Sequence, residues 1–404
     1  MHLKRLFLAG MLFSVLASFT SVGLVGASSE MWSKTYDSGT GHSLIETSDG
    51  GYAIAASVYK GADFWLIKTD EYGSMEWNQT HEAFSARSLV EASDGGYAIV
   101  GGNGLVKTDN YGNLEWNQTY GGPGYDYFNS LIETSDRGYA MGGIFNQEYE
   151  DPFGDCDFWL VKTDEQGNLE WNKTYGESGY DYVNSLVEAS DGGYLLAGST
   201  GLWLVQSTAW VIKTDKQGNM EWNQTYGGKE RSEVNSVVRT SDGGYALAGY
   251  LSGDVWLIKI DEFGDVTWDQ TYSKGQAYSL VATSDGGYAL AGTTSSKNGD
   301  QTYTESWMIK TDASGNEVWS QTYGGTGNQY IYSLVETSDG AFALAGYISH
   351  AYPDPAEVLL MKTDKYGYIP EFPSWTIIPS VLIASAALLF FKKRLSKHTA
   401  DSYP

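Results

Sequence analysis

Cysteine is almost absent from this chain of 404 residues: Cys156 stands alone, so no internal disulfide framework holds the fold. Histidine is nearly as scarce. Between the two ends of the chain only His42, His81 and His350 occur, and their spacing yields neither a histidine metal cluster nor a Ser-His-Asp arrangement. Arginine is limited to Arg87, Arg137, Arg231 and Arg239 over residues 28–374. That stretch carries 19 basic and 49 acidic residues, a net charge of −30. Such a surface repels phosphate backbones, so no nucleic-acid partner is expected. It suits a protein that must stay soluble in salt, or one that meets cations and basic partners. Long apolar runs are missing except at the two ends.

What the chain has instead is a repeat. Trp32, Trp77, Trp116, Trp171, Trp222, Trp268 and Trp319 each head a segment of similar order, at intervals of 45, 39, 55, 51, 46 and 51 residues. Each segment offers four short strand signals: Trp-Asn-Gln-Thr-Tyr, then Ser-Leu-Val-Glu, then Gly-Tyr-Ala-Leu-Ala-Gly, then Trp-Leu-Ile-Lys-Thr-Asp. A period of that size with four strands per copy predicts propeller blades. The second and third signals are joined by Ser-Asp-Gly-Gly, which predicts a two-residue type I′ hairpin. At Asp136-Arg137-Gly138 the glycine is replaced, which predicts a bulged or three-residue turn.

The first Trp strand, 31–36, stands ahead of every other blade strand, and the last Lys362-Thr363-Asp364 has no Trp strand behind it. The expected architecture is therefore all-β: seven four-stranded antiparallel blades over 31–368, with the N-terminal strand completing the last blade and leaving no open sheet edge.

The ends read differently. Lys4-Arg5, an apolar run to Val25 and small residues before Ser28 predict a signal peptide over 1–27, with an uncleaved anchor as the alternative. Residues 375–391 hold no charge and are long enough for a short membrane-spanning helix. The basic tail 392–404 behind it is expected to stay cytoplasmic, leaving the propeller outside. Just ahead, in the linker 369–374, stand Pro370, Glu371, Phe372 and Pro373. This motif, helix and basic tail together resemble the archaeal PEF-type C-terminal sorting signal. The resemblance implies cleavage by an archaeosortase and transfer to a lipid-type anchor. An ordinary proline stalk before an anchor is the alternative, and either reading holds the propeller at the cell surface.

A residue repeated in every blade serves the architecture, because one site does not need seven copies. Function is expected where the copies differ: in the loops from the Trp strand to the next blade, and in those between the third and fourth signals. In a propeller both sets surround one mouth of the central channel. There Tyr125, Asp126, Tyr127, Tyr180, Asp181, Tyr182, Tyr330 and Tyr332 pair aromatic rings with carboxylates, a combination suited to sugars. Packing of the strand entrances is the alternative role for these rings. Trp203, in an apolar insertion, is a further contact candidate.

The loop holding Asp151, Asp155 and Asp157 is acidic enough to suggest calcium, but its spacing is not that of an EF-hand, and a solvated acidic loop is the alternative. No other cofactor is expected. Asn78, Asn117, Asn172 and Asn223 begin Asn-x-Thr sequons on the Trp strand, where glycosylation competes with a plain polar strand position.

Two enzyme families share parts of the repeat. Asp70-Glu71-Tyr72-Gly73 with Trp77 is similar to the tryptophan-docking motif of quinoprotein dehydrogenases, and faintly to the Asp-box of sialidases. The first is a structural device that brings no active-site residue with it. The second family uses an arginine triad, for which four scattered arginines give poor support. The whole repeat resembles the bacterial and archaeal surface propellers, a likeness that implies fold more than activity. The expected function is a non-enzymatic, surface-held propeller that binds glycan or protein through its loop-bearing face. The alternatives are a secreted enzyme of quinoprotein or polysaccharide-cleaving type and a structural envelope component.

Overall fold

The structure is a computed structural model describing residues 31–369, apart from 59–62, 83, 123, 147–154, 177–178, 203–205, 299–300, 325–326 and 350–354. The sequence expectations for 1–27 and 370–404, including the leader, the sorting motif and the membrane helix, lie outside the described residues. The chain divides between Tyr368 and Ile369. Among the described residues no helix is long and apolar enough to cross a membrane.

Among the described residues the first unit holds 27 β-strands. Five four-stranded sheets and one seven-stranded sheet are formed, with every neighbouring pair antiparallel where sequence neighbours meet. One sheet shows the pattern: Tyr127–Glu133, Tyr139–Phe145, Asp157–Thr163 and Leu169–Tyr175 follow each other both in sequence and in space. The seven-stranded sheet arises because the long strand Trp32–Glu46 is shared. Its first part pairs with Glu357–Thr363 (Trp32 opposite Lys362, Tyr36 opposite Val358), and its second part pairs with Tyr52–Val58.

The two middle strands of a sheet read as unbroken apolar runs because both of their faces are covered. In Phe64–Thr69 and Tyr97–Gly101 every residue is buried, whereas the Trp strand Leu114–Thr119 alternates exposed and half-buried positions. The cores lie between sheets: Leu195, Ala197 and Val211 of one sheet meet Val234, Val237, Leu247 and Ile258 of the next. Each such fully buried aliphatic side chain contributes about 1.5–3 kcal/mol.

Three sets of hydrogen bonds repeat from sheet to sheet. The first runs along the innermost strands. There a serine Oγ accepts the amide hydrogen of the following sheet: Leu89 to Ser43, Leu131 to Ser88, Leu186 to Ser130, Val237 to Ser185, Leu280 to Ser236, Leu334 to Ser279, and Leu44 to Ser333. The second docks the Trp strands. The Tyr175 hydroxyl donates to the Gly218 carbonyl at 2.6 Å, and the Trp171 ring lies over Gly218, where an added Cβ would come within 2.7 Å of it. The same pairing recurs from Tyr36 with Gly73 to Tyr323 with Gly367, and His81 takes the tyrosine's place against Gly112. The third set clasps the hairpin serine to a neighbouring glutamate, as in Ser48 with Glu91 and Ser338 with Glu46. At Ser190 and Ser241 this clasp is missing, because the acceptor positions hold Arg239 and Ala282.

The hairpin turns differ from the type I′ expectation. In each, only one residue has positive φ, as at Gly50 (87°) and Gly243 (91°), whereas type I′ needs two such residues. Thr47 N–H donates to the Gly51 carbonyl and Gly50 N–H to the Thr47 carbonyl, which makes a three-residue loop closed by a left-handed glycine. The Thr47 hydroxyl donates to Asp49 Oδ1 at 2.6 Å, although the hairpins at Ala92 and Ala189 close the same way without a hydroxyl. At Asp136-Arg137-Gly138 the three-residue turn expected there is found, but it is not particular to that hairpin. Arg137 takes φ of 69° and makes the same two bonds through Thr134 and Gly138, so the turn is the common one with a strained residue in it.

Candidate functional site

The architectural residues are fully engaged. Lys213 is buried and its Nζ donates to Asp191 (2.7 Å), Glu221 (2.8 Å) and the Thr214 carbonyl. The other Lys-Thr-Asp lysines are tied to their hairpin aspartates in the same way. Asp49 shows the effect on the acid: burial pushes its carboxyl up, but the Thr47 hydroxyl, the Lys68 ammonium and the Gly51 amide outweigh this and bring it down to about 2.

The variable positions converge elsewhere. On the innermost strands, the residue before the repeated serine is His42, Arg87, Asn129, Asn184, Asn235, Tyr278 or Tyr332. The three asparagines link side to side: Asn129 Nδ2 donates to the Val183 carbonyl, Asn184 Nδ2 to Val234, and Asn235 Nδ2 to Ala277. The aromatic members form a separate group. His42 stacks on Tyr332 with centroids 5.8 Å apart, and Tyr278 meets Tyr332 edge-on at 5.0 Å. Tyr330 stacks on Tyr347 at 4.6 Å. Burial, with the Arg87 charge second, lowers His42 to about 4, so its ring is neutral at neutral pH.

Beside the asparagines opens a cavity of about 340 Å³. Tyr127, Tyr180 and Tyr182 form its aromatic wall, and Arg87, Arg231 and Glu233 supply charge. Burial raises all three phenols above their ordinary value, so they remain protonated hydrogen-bond donors. Arg231 donates to Glu233 at 3.0 Å and to Ser207 at 3.3 Å.

Of the residues singled out in sequence, Tyr127, Tyr180 and Tyr182 line this cavity, and Tyr330 and Tyr332 belong to the aromatic group. Tyr125 is 47% exposed and lines neither. Asp126 and Asp181 are buried behind the loops, and the Asp126 carboxylate accepts the Gly122 and Asn146 amide hydrogens. Trp203 and Asp151 lie outside the described residues. Asp155 accepts the Gly179 amide hydrogen, and Asp157 is pushed up by burial and by the Asp155 charge. Among the described residues no group of three or more His, Cys, Asp or Glu side chains converges on a cation site.

Asn78, Asn117, Asn172 and Asn223 are all exposed on the Trp strands, and Asn78 and Asn223 also accept the indole N–H of Trp65 and Trp210. Arg87, Arg231 and the asparagines were not singled out in sequence. The signal that reveals them is the position before the repeated serine, which holds His, Arg, Asn or Tyr while the serine itself is unchanged.

No family model and no curated protein matches the chain. Solved structures do. A catalytically inactive virginiamycin B lyase from Staphylococcus aureus, determined with quinupristin, aligns with a TM-score of 0.55 at 10% identity, over 83% of this chain and all of that one. The Pan2 WD40 domain of Neurospora crassa gives 0.55 at 12% identity over 84% and 98%, and the Dos1 propeller 0.50 at 12% over 82% and 78%. At such identities the likeness concerns the fold alone: this chain is folded as a β-propeller.

Proposed function

We propose that the chain forms a closed seven-bladed ring that binds a saccharide without transforming it, at the mouth of its central channel. The closed seven-fold reading is supported by the strand Trp32–Glu46 pairing with both Glu357–Thr363 and Tyr52–Val58, and by the serine bonds that pass from Ser43 round to Ser333. The observation that carries the function is the cavity in which Tyr127, Tyr180 and Tyr182 stand next to Asn129 and Asn184. Aromatic faces with convergent amide and hydroxyl groups are what a sugar ring requires, apolar contact on one side and directed hydrogen bonds at its edge. The surface placement follows from the leader, sorting motif and terminal helix expected in sequence, with archaeosortase processing and occupied sequons as parts of the same proposal.

The test is a glycan array probed with the purified full chain in detergent. Binding to a defined saccharide set, weakened roughly tenfold or more by Tyr180→Ala and unchanged by Tyr111→Ala on a distant turn, supports the reading. An array without a single bound glycan rejects it.

A further inference from the structure

Two guanidinium groups face the cavity, in a protein that has few to spare. Arg231 is neutralised in place: it pairs with Glu233, donates to Ser207 and lies 5.8 Å from the Tyr250 ring centroid. Arg87 is different. Its side chain is exposed and makes no hydrogen bond or ion pair with any described residue. Its charge nevertheless acts on His42, Tyr127 and Tyr332, which places it between the asparagine-lined and the aromatic parts of the channel. His42 is neutral, so Arg87 has no cationic competitor there.

Resting on the saccharide reading above, we propose that the cavity selects an acid-bearing sugar, a uronate whose carboxylate pairs with Arg87 while its ring lies against Tyr180 and Tyr182. A guanidinium offers two parallel N–H donors that match a carboxylate, a geometry that a neutral hydroxyl cannot use as fully. Glu233 enforces the orientation, because a carboxylate turned toward the Arg231 side meets a like charge. The surrounding net charge of −30 over residues 28–374 repels acidic polymers at a distance, so the preference is local and short-ranged.

The experiment is titration calorimetry of the full chain in detergent with two probes of equal length, an oligogalacturonate and a neutral oligogalactan. The acidic oligomer is expected to bind roughly tenfold tighter or more, an advantage that shrinks as salt is raised. Arg87→Gln should weaken binding of the acidic oligomer far more than that of the neutral one, and so abolish the advantage. Arg87→Lys should restore part of it, and Arg231→Gln should retain most of it. Equal binding of both oligomers by the native chain, or an advantage that survives Arg87→Gln, overturns the acidic selectivity and leaves the saccharide reading standing. Binding of neither oligomer, together with a blank glycan array, overturns both. Unchanged thermal midpoints in the Arg87 variants separate lost selectivity from lost folding.

Discussion

Ser333 and Leu44 are 289 positions apart in the chain, yet the serine Oγ accepts the leucine amide hydrogen at 3.0 Å. The last of the repeated serines thus serves the first inner strand, while Trp32–Glu46 spans two sets of strands. Removing residues up to Ser38 would strip the pairing partner from Glu357–Thr363 and expose a row of unpaired backbone groups. The truncated protein is expected to elute as aggregates in size-exclusion chromatography and to unfold at lower urea than the intact chain. A monomer of undiminished stability would show that the shared strand is dispensable.

Gly218 has φ of 76° and lies under Trp171. Gly218→Ala adds both a left-handed strain and a methyl group into the indole, at a cost of about 2–4 kcal/mol. Denaturant unfolding measures it. Gly122→Ala, whose Cβ meets nothing within 4 Å, should cost far less.

Arg137 occupies a turn position that glycine fills in the equivalent hairpins. Arg137→Gly should stabilise the protein by about 0.5–1 kcal/mol, the relief of left-handed strain being partly offset by the freer unfolded chain. A lower urea midpoint for the variant would mean that the guanidinium earns its place by contacts.

Asp49, Asp242 and Asp285 are all brought down to about 2. For Asp242 the Thr240 hydroxyl is the largest influence, opposed by burial and reinforced by Lys259. An aspartate held below its ordinary value of about 4 stabilises the fold above that pH and loses the contribution as pH falls through its folded value. The urea midpoint should therefore decline between pH 4 and pH 2. The side chains are more than half exposed, so screening weakens each contribution and added salt should flatten the decline. Replacing all three with asparagine should lower the midpoint at pH 7 and make it less sensitive to acid.

Much of the fold was legible because its determinants are adjacent in sequence. A Trp strand, an Asp-x-x-Gly turn and a Lys-Thr-Asp ending fit within one repeat, and the docking of Trp171 on Gly218 merely places one repeat beside the next. The turn type was misread because Asp-Gly serves a three-residue loop as well as type I′, and the loop forms alike behind Thr47, Ala92 and Ala189, closed each time by a left-handed glycine. The cavity was half legible. Its tyrosines advertise themselves as pairs in variable loops, whereas Arg87, Asn129 and Asn184 come one per repeat and become neighbours only when the strands assemble. Asp126, which looks like a ligand group beside tyrosines, is consumed in holding its loop, and Asp181 is buried.

The missing Ser190–Arg239 and Ser241–Ala282 clasps fall on both flanks of Ser232–Arg239, the same strand that brings Glu233 to the cavity. Those two junctions are expected to surrender backbone protons to heavy water sooner than the clasped ones, so the strand that brings Glu233 to the cavity is flanked by the least fastened joints between sheets.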